Sequence, residues 1–267
     1  MISRWCLLPI IALTAFSANA QRQDNQERKL RCETHDRGRQ AHFCEMKEQT
    51  LGPLGRLDID AKPNGGITVK GWSRNEVLVR AKVEAWAQTE NEARGLVEQV
   101  RLNLSAGRIA AEGPGEGRRK GWSVSFEIFS PHRVDISAAT DNGGIHLADL
   151  EGRLEFQAAN GGISLTRLAG QVQGSTRNGG VKVELGGTRW DGAGLDVTTT
   201  NGGVKMDIPR SYSARLDAGT VNGHLDIDYP ATVTGKISKE MTLNLGAGGA
   251  PIRVRTTNGG FAIKTLN

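Results

Sequence analysis

The sequence predicts an all-β protein: a parallel β-solenoid, β-helix-like, of about 6–8 coils, with an N-terminal β-rich section that carries one helix. Three observations lead there. Asn-Gly-Gly occurs at Asn64, Asn142, Asn160, Asn178, Asn201 and Asn258, and a further copy at Asn222 reads Asn-Gly-His. Apolar and polar residues alternate on both sides of these copies. Glycine is abundant, 35 in 267 residues, about 13% against a typical ~7%.

Alignment on the Asn of the last six copies shows the pattern. Six residues before it stand Ile136, Leu154, Val172, Leu195, Leu216 and Ile252. Four before it stand Ala138, Phe156, Gly174, Val197, Ala218 and Val254, and two before it Thr140, Ala158, Thr176, Thr199, Thr220 and Thr256. A period of two marks a strand with one buried face. A second strand follows, with Ile145, Ile163, Val181, Val204, Leu225 and Phe261 three residues on, and an aliphatic or Met two residues later. Parity changes across the corner, a shift that two glycines free to take φ > 0 would absorb. Further glycine corners are expected at Gly152 and Gly170.

Two architectures satisfy this pattern. In an antiparallel β-meander or sandwich, each Asn-Gly would close a hairpin. In a solenoid, each unit is one coil, and a residue's neighbours are its own counterparts in adjacent coils. Only the second requires one residue type at one place in every unit, so the solenoid is preferred. The Asn has the parity of the buried side. Asn142, Asn160, Asn178, Asn201, Asn222 and Asn258 are then expected to stack as an amide ladder along a corner. Each coil is expected to bury about six apolar side chains at roughly 1.5–3 kcal/mol each.

In chain order, residues 1–20 read as a secretory signal peptide. Arg4 supplies the positive end, Trp5 to Phe16 the apolar run, and Ala18-Asn19-Ala20 the cleavage site, with cutting after Ala20. The apolar run would make a helix of about 18 Å, short of a ~30 Å hydrocarbon core, and no transmembrane span is expected. The mature chain is placed in the periplasm, secreted, or at the cell surface. Residues 21–50 form an N-terminal segment containing Cys32 and Cys44. In an oxidising compartment this even pair is read as a disulfide, worth about 3 kcal/mol in the chain-entropy model. The competing reading adds His35 and His42 as a Cys2His2 zinc site, at a spacing that matches no common zinc module.

Residues 51–133 hold the first repeat and a capping section. Leu57, Ile59 and Ala61 lie one residue further from Asn64 than their counterparts, which implies a bulge at Pro63. Val77 to Val83, Leu102 to Ala110 and Val124 to Phe129 read as strands. Thr89 and Glu92 form a capping box ahead of Ala93, Leu96, Val97 and Val100 at helical spacing. Residues 134–267 are the solenoid repeats. Their gaps of 18, 18, 23, 21 and 36 residues contain two insertions. Thr188 to Gly194, with Trp190, lengthens one corner. Tyr229 to Gly249 is long enough for an extra coil lacking the Asn, carrying Val233, Ile237, Leu243 and Leu245.

These corners, the stretch Gly55-Arg56-Leu57-Asp58-Ile59-Asp60 leading to Pro63-Asn64-Gly65-Gly66-Ile67, and the helix after Trp86 together resemble the bacterial putative-adhesin domain family of Gly-rich β-repeat envelope proteins. The resemblance covers about residues 50–265. It implies an exported repetitive β fold and transfers no catalytic residue. Family members linked to sensing envelope stress or antimicrobial agents suggest a second role.

The chemistry-bearing residues are sparse. The formal charge is +5, with acids and bases interleaved. The densest basic run, Arg118-Arg119-Lys120, is too small for nucleic-acid binding and reads as a solvated loop that could touch an anionic envelope polymer. No Gly-x-Ser-x-Gly occurs, and His146 and His224 fall at outward positions. Asp226 with Asp228, and Asp58 with Asp60, are outward carboxylate pairs of the kind a glycan-cleaving solenoid would use. Lys205 and Lys182 are expected to stack on Asp226 and balance it. Trp72, Trp86, Trp122 and Trp190 lie outside the repeated strands, where packing explains them. No catalytic residue, cofactor or metal is expected. The function expected is a non-catalytic exported adhesin or envelope-binding scaffold, with a cell-envelope polymer or protein as partner and solenoid ends open to homo-oligomer formation. Alternatives are a stress or antimicrobial sensor, which neighbouring signalling genes would favour, and a polysaccharide-active enzyme.

Overall fold

The computed structural model describes residues 30–32, 40–115, 117–230 and 239–266. The expected signal peptide, His35, Val233 and Ile237 lie outside the described residues. The N-terminal section comprises β1 (Ala41–Leu51), β2 (Arg56–Asp60), β3 (Ile67–Trp72), β4 (Val77–Ala87), α1 (Glu90–Gln99), β5 (Arg101–Asn103), β6 (Arg108–Glu112) and β7 (Gly121–Pro131). The repeats begin with β8 (Asp135–Asn142), β9 (Ile145–Ala148), β10 (Glu151–Asn160), β11 (Ile163–Thr166), β12 (Ala169–Asn178) and β13 (Val181–Glu184). They continue with β14 (Gly194–Asn201), β15 (Val204–Pro209), β16 (Ala214–Asn222), β17 (Leu225–Asp228), β18 (Glu240–Leu245), β19 (Pro251–Asn258) and β20 (Phe261–Leu266).

The fold is all-β and solenoid-like, with parallel strands in its sheets. Each strand before an Asn pairs in parallel with its counterpart in the next coil, and the register equals the sequence alignment. Leu154 lies opposite both Ile136 and Val172, and Asn160 opposite both Asn142 and Asn178. The strands after the corners do the same in the other sheet, with Ile163 between Ile145 and Val181. Side chains of alternate residues therefore meet between two sheets, where Leu154, Phe156, Ile163 and Leu165 of one coil are buried. Volume is matched across coils: a Cβ on Gly174 would lie 2.2 Å from the Phe156 ring, so the glycine makes room for that side chain.

The coils are not stacked in sequence order. One sheet runs β18-β16-β19-β14-β12-β10-β8-β2-β6-β5, and the other β1-β4-β7-β3-β9-β11-β13-β15-β20-β17. The last coil, β19 and β20, is seated between the coil of β14 and β15 and the coil of β16 and β17. This corrects the simple succession expected from sequence. It also corrects the expected Lys205 and Lys182 neighbours of Asp226, whose strand partner is Ala262. The expected extra coil is corrected as well: β18 pairs antiparallel with β16 as an edge strand, burying Leu243 and Leu245.

The N-terminal section closes the other end. Antiparallel β1, β4 and β7 extend one sheet beyond the reach of the second, and α1 packs against them. Its capping box is formed, with Glu92 N donating to Thr89 Oγ1 and Glu92 Oε2 accepting from Thr89 N. Ala93, Leu96 and Val97 are its buried face. At the first corner Leu57 pairs with Ile136 while Asn64 bridges to Asn142, so one extra residue is accommodated ahead of Asn64.

Corner geometry gives the glycines a different reason from the expected one. Of the Asn-Gly-Gly and Asn-Gly-His glycines only Gly65 has a positive φ, so conformational freedom does not explain the others. Close approach does. A Cβ on the first glycine would meet the backbone of the preceding layer: Gly143 at 2.0 Å from the Gly65 oxygen, Gly161 at 1.9 Å from that of Gly143, Gly259 at 2.2 Å from that of Gly202. The second glycine faces the following layer at a looser distance, 3.4 Å for Gly162 and 3.3 Å for Gly203. The coil of Asn222 is the last of the file; among the described residues only the edge strand β18 lies beyond it, against β16. This coil keeps the first glycine, Gly223, and has His224 at the second place.

The threonines two residues before the Asn use this proximity. They are buried, and each hydroxyl donates to the first glycine's carbonyl in the adjacent coil: Thr140 to Gly65 at 2.7 Å, Thr176 to Gly161 at 2.8 Å, Thr199 to Gly179 at 2.8 Å, Thr220 to Gly259 at 2.8 Å and Thr256 to Gly202 at 2.7 Å. Ala158 occupies the same place without a hydroxyl.

Three outcomes follow for stability. Gly161→Ala should lower the unfolding free energy by about 3 kcal/mol and Gly162→Ala by less than about 1 kcal/mol, as read by urea denaturation; equal losses would show that layer spacing is not the constraint. Thr199→Val should cost about 1 kcal/mol by removing the donor to a half-buried carbonyl, whereas Ala158→Thr should gain about 1 kcal/mol. A chain ending at Ala250 loses an interior layer, not a terminal one. Limited proteolysis of it should therefore cut residues 204–245, and protection of that region would contradict the layer order.

Candidate functional site

The six expected ladder asparagines are brought into one file, joined by Asn64. Asn142 Nδ2 donates to Asn64 Oδ1 at 3.0 Å, Asn160 to Asn142 at 2.9 Å, Asn178 to Asn160 at 2.8 Å and Asn201 to Asn178 at 2.9 Å. The file then follows space and not sequence: Asn258 donates to Asn201 at 2.8 Å and Asn222 to Asn258 at 2.8 Å. The six side chains are exposed, which corrects their assignment to the buried side. At the corner the two sheets converge and leave no interior for an amide, so the Asn turns outward and its counterparts satisfy it. Cys32 and Cys44 are joined in a disulfide with Cα atoms 5.7 Å apart.

The opposite corner carries charge. Asp149 and Arg167 take left-handed φ values of 58° and 49°, and their side chains form a two-pronged ion pair at 2.8 and 2.7 Å. This hydrogen-bonded pair raises the Arg167 pKa above its ordinary value. Gly170, at φ 95°, stands near this corner.

Outward side chains form rows across each sheet. One row reads Thr68, His146, Ser164, Lys182, Lys205, Ala262 and Asp226. Burial first, then Lys70, Lys182 and Arg167, hold the His146 imidazole below its usual pKa, against an opposing pull from Glu184. In the next row Asp207 lies 3.7 Å from Lys182 and 3.4 Å from Lys205. On the other sheet Arg253 of the inserted coil sits 3.6 Å from Asp196 and 3.5 Å from Asp217. Of the carboxylate pairs, Asp226 and Asp228 lie on the edge strand β17 beside Ala262 and Lys264, and Asp58 and Asp60 beside Arg108 and Ala110. His224 is exposed at the terminal corner. Among the described residues no group of three or more His, Cys, Asp or Glu could hold a metal ion. No helix among them is long and apolar enough to cross a membrane.

The tryptophans pack. Trp122 Nε1 donates to the Pro114 carbonyl at 2.8 Å and Trp190 Nε1 to that of Gly170 at 3.0 Å. Trp86 lies against Gly121, and Trp72 against Phe129. Of the buried charges that the sequence reading does not single out, Glu127 is the deepest. Glu127 is 2% exposed and accepts from Arg80 Nη1 at 3.0 Å, Lys70 Nζ at 3.4 Å and the backbone N of Leu30 at 3.3 Å. Its outward parity in β7 signals exposure, because its cover comes partly from residue 30, which local periodicity does not see.

A family model described as Toastrack DUF4097 matches residues 133–264, a shorter reach than the resemblance read from the sequence. The chain is similar to the crystal structure of a putative cell adhesion protein from Clostridium sporogenes, at 16% identity, covering 84% of this chain and 100% of that one, with a TM-score of 0.46. Two more are a putative adhesin from Bacteroides fragilis (10% identity, 84% and 97% covered, TM-score 0.43) and one from Parabacteroides distasonis (10%, 82% and 97%, TM-score 0.34). No curated protein matches the chain. Residues 133–264 are thus similar to the Toastrack DUF4097 family.

Proposed function

We propose that this protein is a non-catalytic, adhesin-like binding and scaffold module of the cell envelope. In this reading residues 1–20 are a signal peptide removed after Ala20, the Cys32–Cys44 bridge anchors the segment 21–50, residues 51–133 close the stack, and 134–267 form a platform of about 6–8 coils with the section before it. The Asn file and the disulfide are structural elements of the platform, and the partner is an envelope polymer or protein.

One observation carries the reading. Carboxylates of the repeats are tied to cations of their own and neighbouring layers, as Asp207 is to Lys205 and Lys182, and Asp217 to Arg253. A carboxylate held this way is committed to the packing of the stack. Broad faces built from rows of such pairs suit many weak contacts along an extended partner, as in other repeat proteins.

The purified mature chain should be retained on cell-wall or outer-membrane fractions in a pull-down; passage through every fraction would count against the module. On a glycan panel the wild type should show no turnover. Cleavage that Asp226→Asn with Asp228→Asn abolishes would establish the enzymatic alternative instead.

A further inference from the structure

Many cations of the repeats are paired with carboxylates, as Lys182 and Lys205 are with Asp207; a run of three cations without such a pair stands outside the repeats. Arg118, Arg119 and Lys120 stand on a turn between β6 and β7, all exposed. Among the described residues none of the three has a carboxylate partner. The turn is fixed from both sides: Gly117 N donates to the Lys120 carbonyl at 3.0 Å, Gln40 Nε2 to the Arg119 carbonyl at 3.0 Å, and Trp122 Nε1 to Pro114 upstream. It forms one wall of a cleft of about 510 Å³ whose other wall is α1 and its approach, with Gln88, Glu92 and Gln99.

Among the described lining residues the one carboxylate is committed elsewhere. Glu92 Oε2 accepts from the backbone N of Gln88 at 3.2 Å and of Thr89 at 3.3 Å, so its charge faces the helix N-terminus. Gln99 Nε2 donates to the Gly95 carbonyl at 2.8 Å, which leaves its oxygen to accept. The cleft thus offers three cations for an acid group and neutral amides for hydroxyls. Among the described residues no aromatic ring lines it, so a nucleobase would find no stacking surface there. Its volume lies in the range of small-ligand sites.

We propose that this cleft binds an acidic saccharide, its acid group against Arg118, Arg119 and Lys120 and its hydroxyls against Gln88 and Gln99. The proposal rests on the envelope-binding reading and names the ligand class and site within it.

Calorimetric titration of the mature chain tests it, with trigalacturonate as the carboxylated probe, mannose 6-phosphate as the phosphorylated one, and maltotriose, hexa-aspartate and a short single-stranded DNA as comparisons. One acidic sugar should bind and maltotriose should not. The combined variant Arg118→Gln, Arg119→Gln, Lys120→Gln should bind that sugar about tenfold more weakly or worse. Its thermal midpoint should be unchanged, since the side chains are exposed. Gln88→Ala should weaken the sugar a few-fold and leave any DNA binding as it was. Failure of both acidic sugars, equal binding by the triple variant, or tighter binding of hexa-aspartate or DNA would overturn the proposal. If the triple variant is retained on envelope fractions as well as the wild type, the cleft is refuted and the module stands. If the wild type binds the sugar yet passes through every fraction, the cleft stands and the module is refuted.

Discussion

The closeness of consecutive backbone layers at the Asn-Gly-Gly corner is the constraint on which the rest depends. A Cβ on the first glycine would fall about 2 Å from the preceding layer's carbonyl oxygen in copy after copy. Nothing flexible stands there to move aside. Once that distance is held, the Thr hydroxyl two residues earlier reaches the glycine carbonyl, and the Asn amide reaches its counterpart. The ranking of these effects follows from burial. The Asn bonds are exposed and compete with water, so each is worth no more than the ~1 kcal/mol of an ordinary hydrogen bond. The Thr bonds satisfy partly or fully buried carbonyls, where an unmet acceptor costs about 1 kcal/mol or more. The steric requirement exceeds both, because a clash with backbone can be relieved only by shifting a whole layer.

This ordering explains what was legible. Period-two alternation fixed the strands, and the recurrence of one residue type at one offset separated parallel stacking from hairpins. The identity of the corner residues was visible, but their reasons were not. Asn was assigned inward by extrapolating strand parity into a corner where the pleat ends. Glycine was credited with φ freedom, whereas the signal of close approach lay in the exception: Asn222-Gly223-His224 loses the second glycine, which faces outward at the end of the stack, and keeps the first. Glu127 was illegible for another reason, since part of its cover comes from sequence nearly a hundred residues away.

The insertion of the last coil into the stack was missed because equal layers are interchangeable in their apolar pattern. The charges distinguish them. In sequence order Asp196 would be separated from Asp217 by no cation, and Asp207 would stack on Asp228. With the last coil between, Arg253 lies between Asp196 and Asp217, and Lys264 pairs with both Asp207 and Asp228 across the register. Exposed pairs contribute little stability each, up to about 1 kcal/mol. They matter here as discrimination, because in these two rows the competing order places like charges side by side.

The same logic says where a binding site can form. In a stack each outward side chain has a counterpart one strand spacing above and below, about 4.8 Å away. A long run of uncompensated cations on a repeat face would repel its own neighbours, and adjacent Lys182 and Lys205 share the carboxylate of Asp207. A concentration of one charge is tolerated more readily off the stack, on a turn. The Arg118–Lys120 turn is such a place, and the helix that closes the first end of the core supplies its facing wall. The section that caps the fold is therefore also the part free to carry specificity, while the repeats are held to uniformity by their own packing.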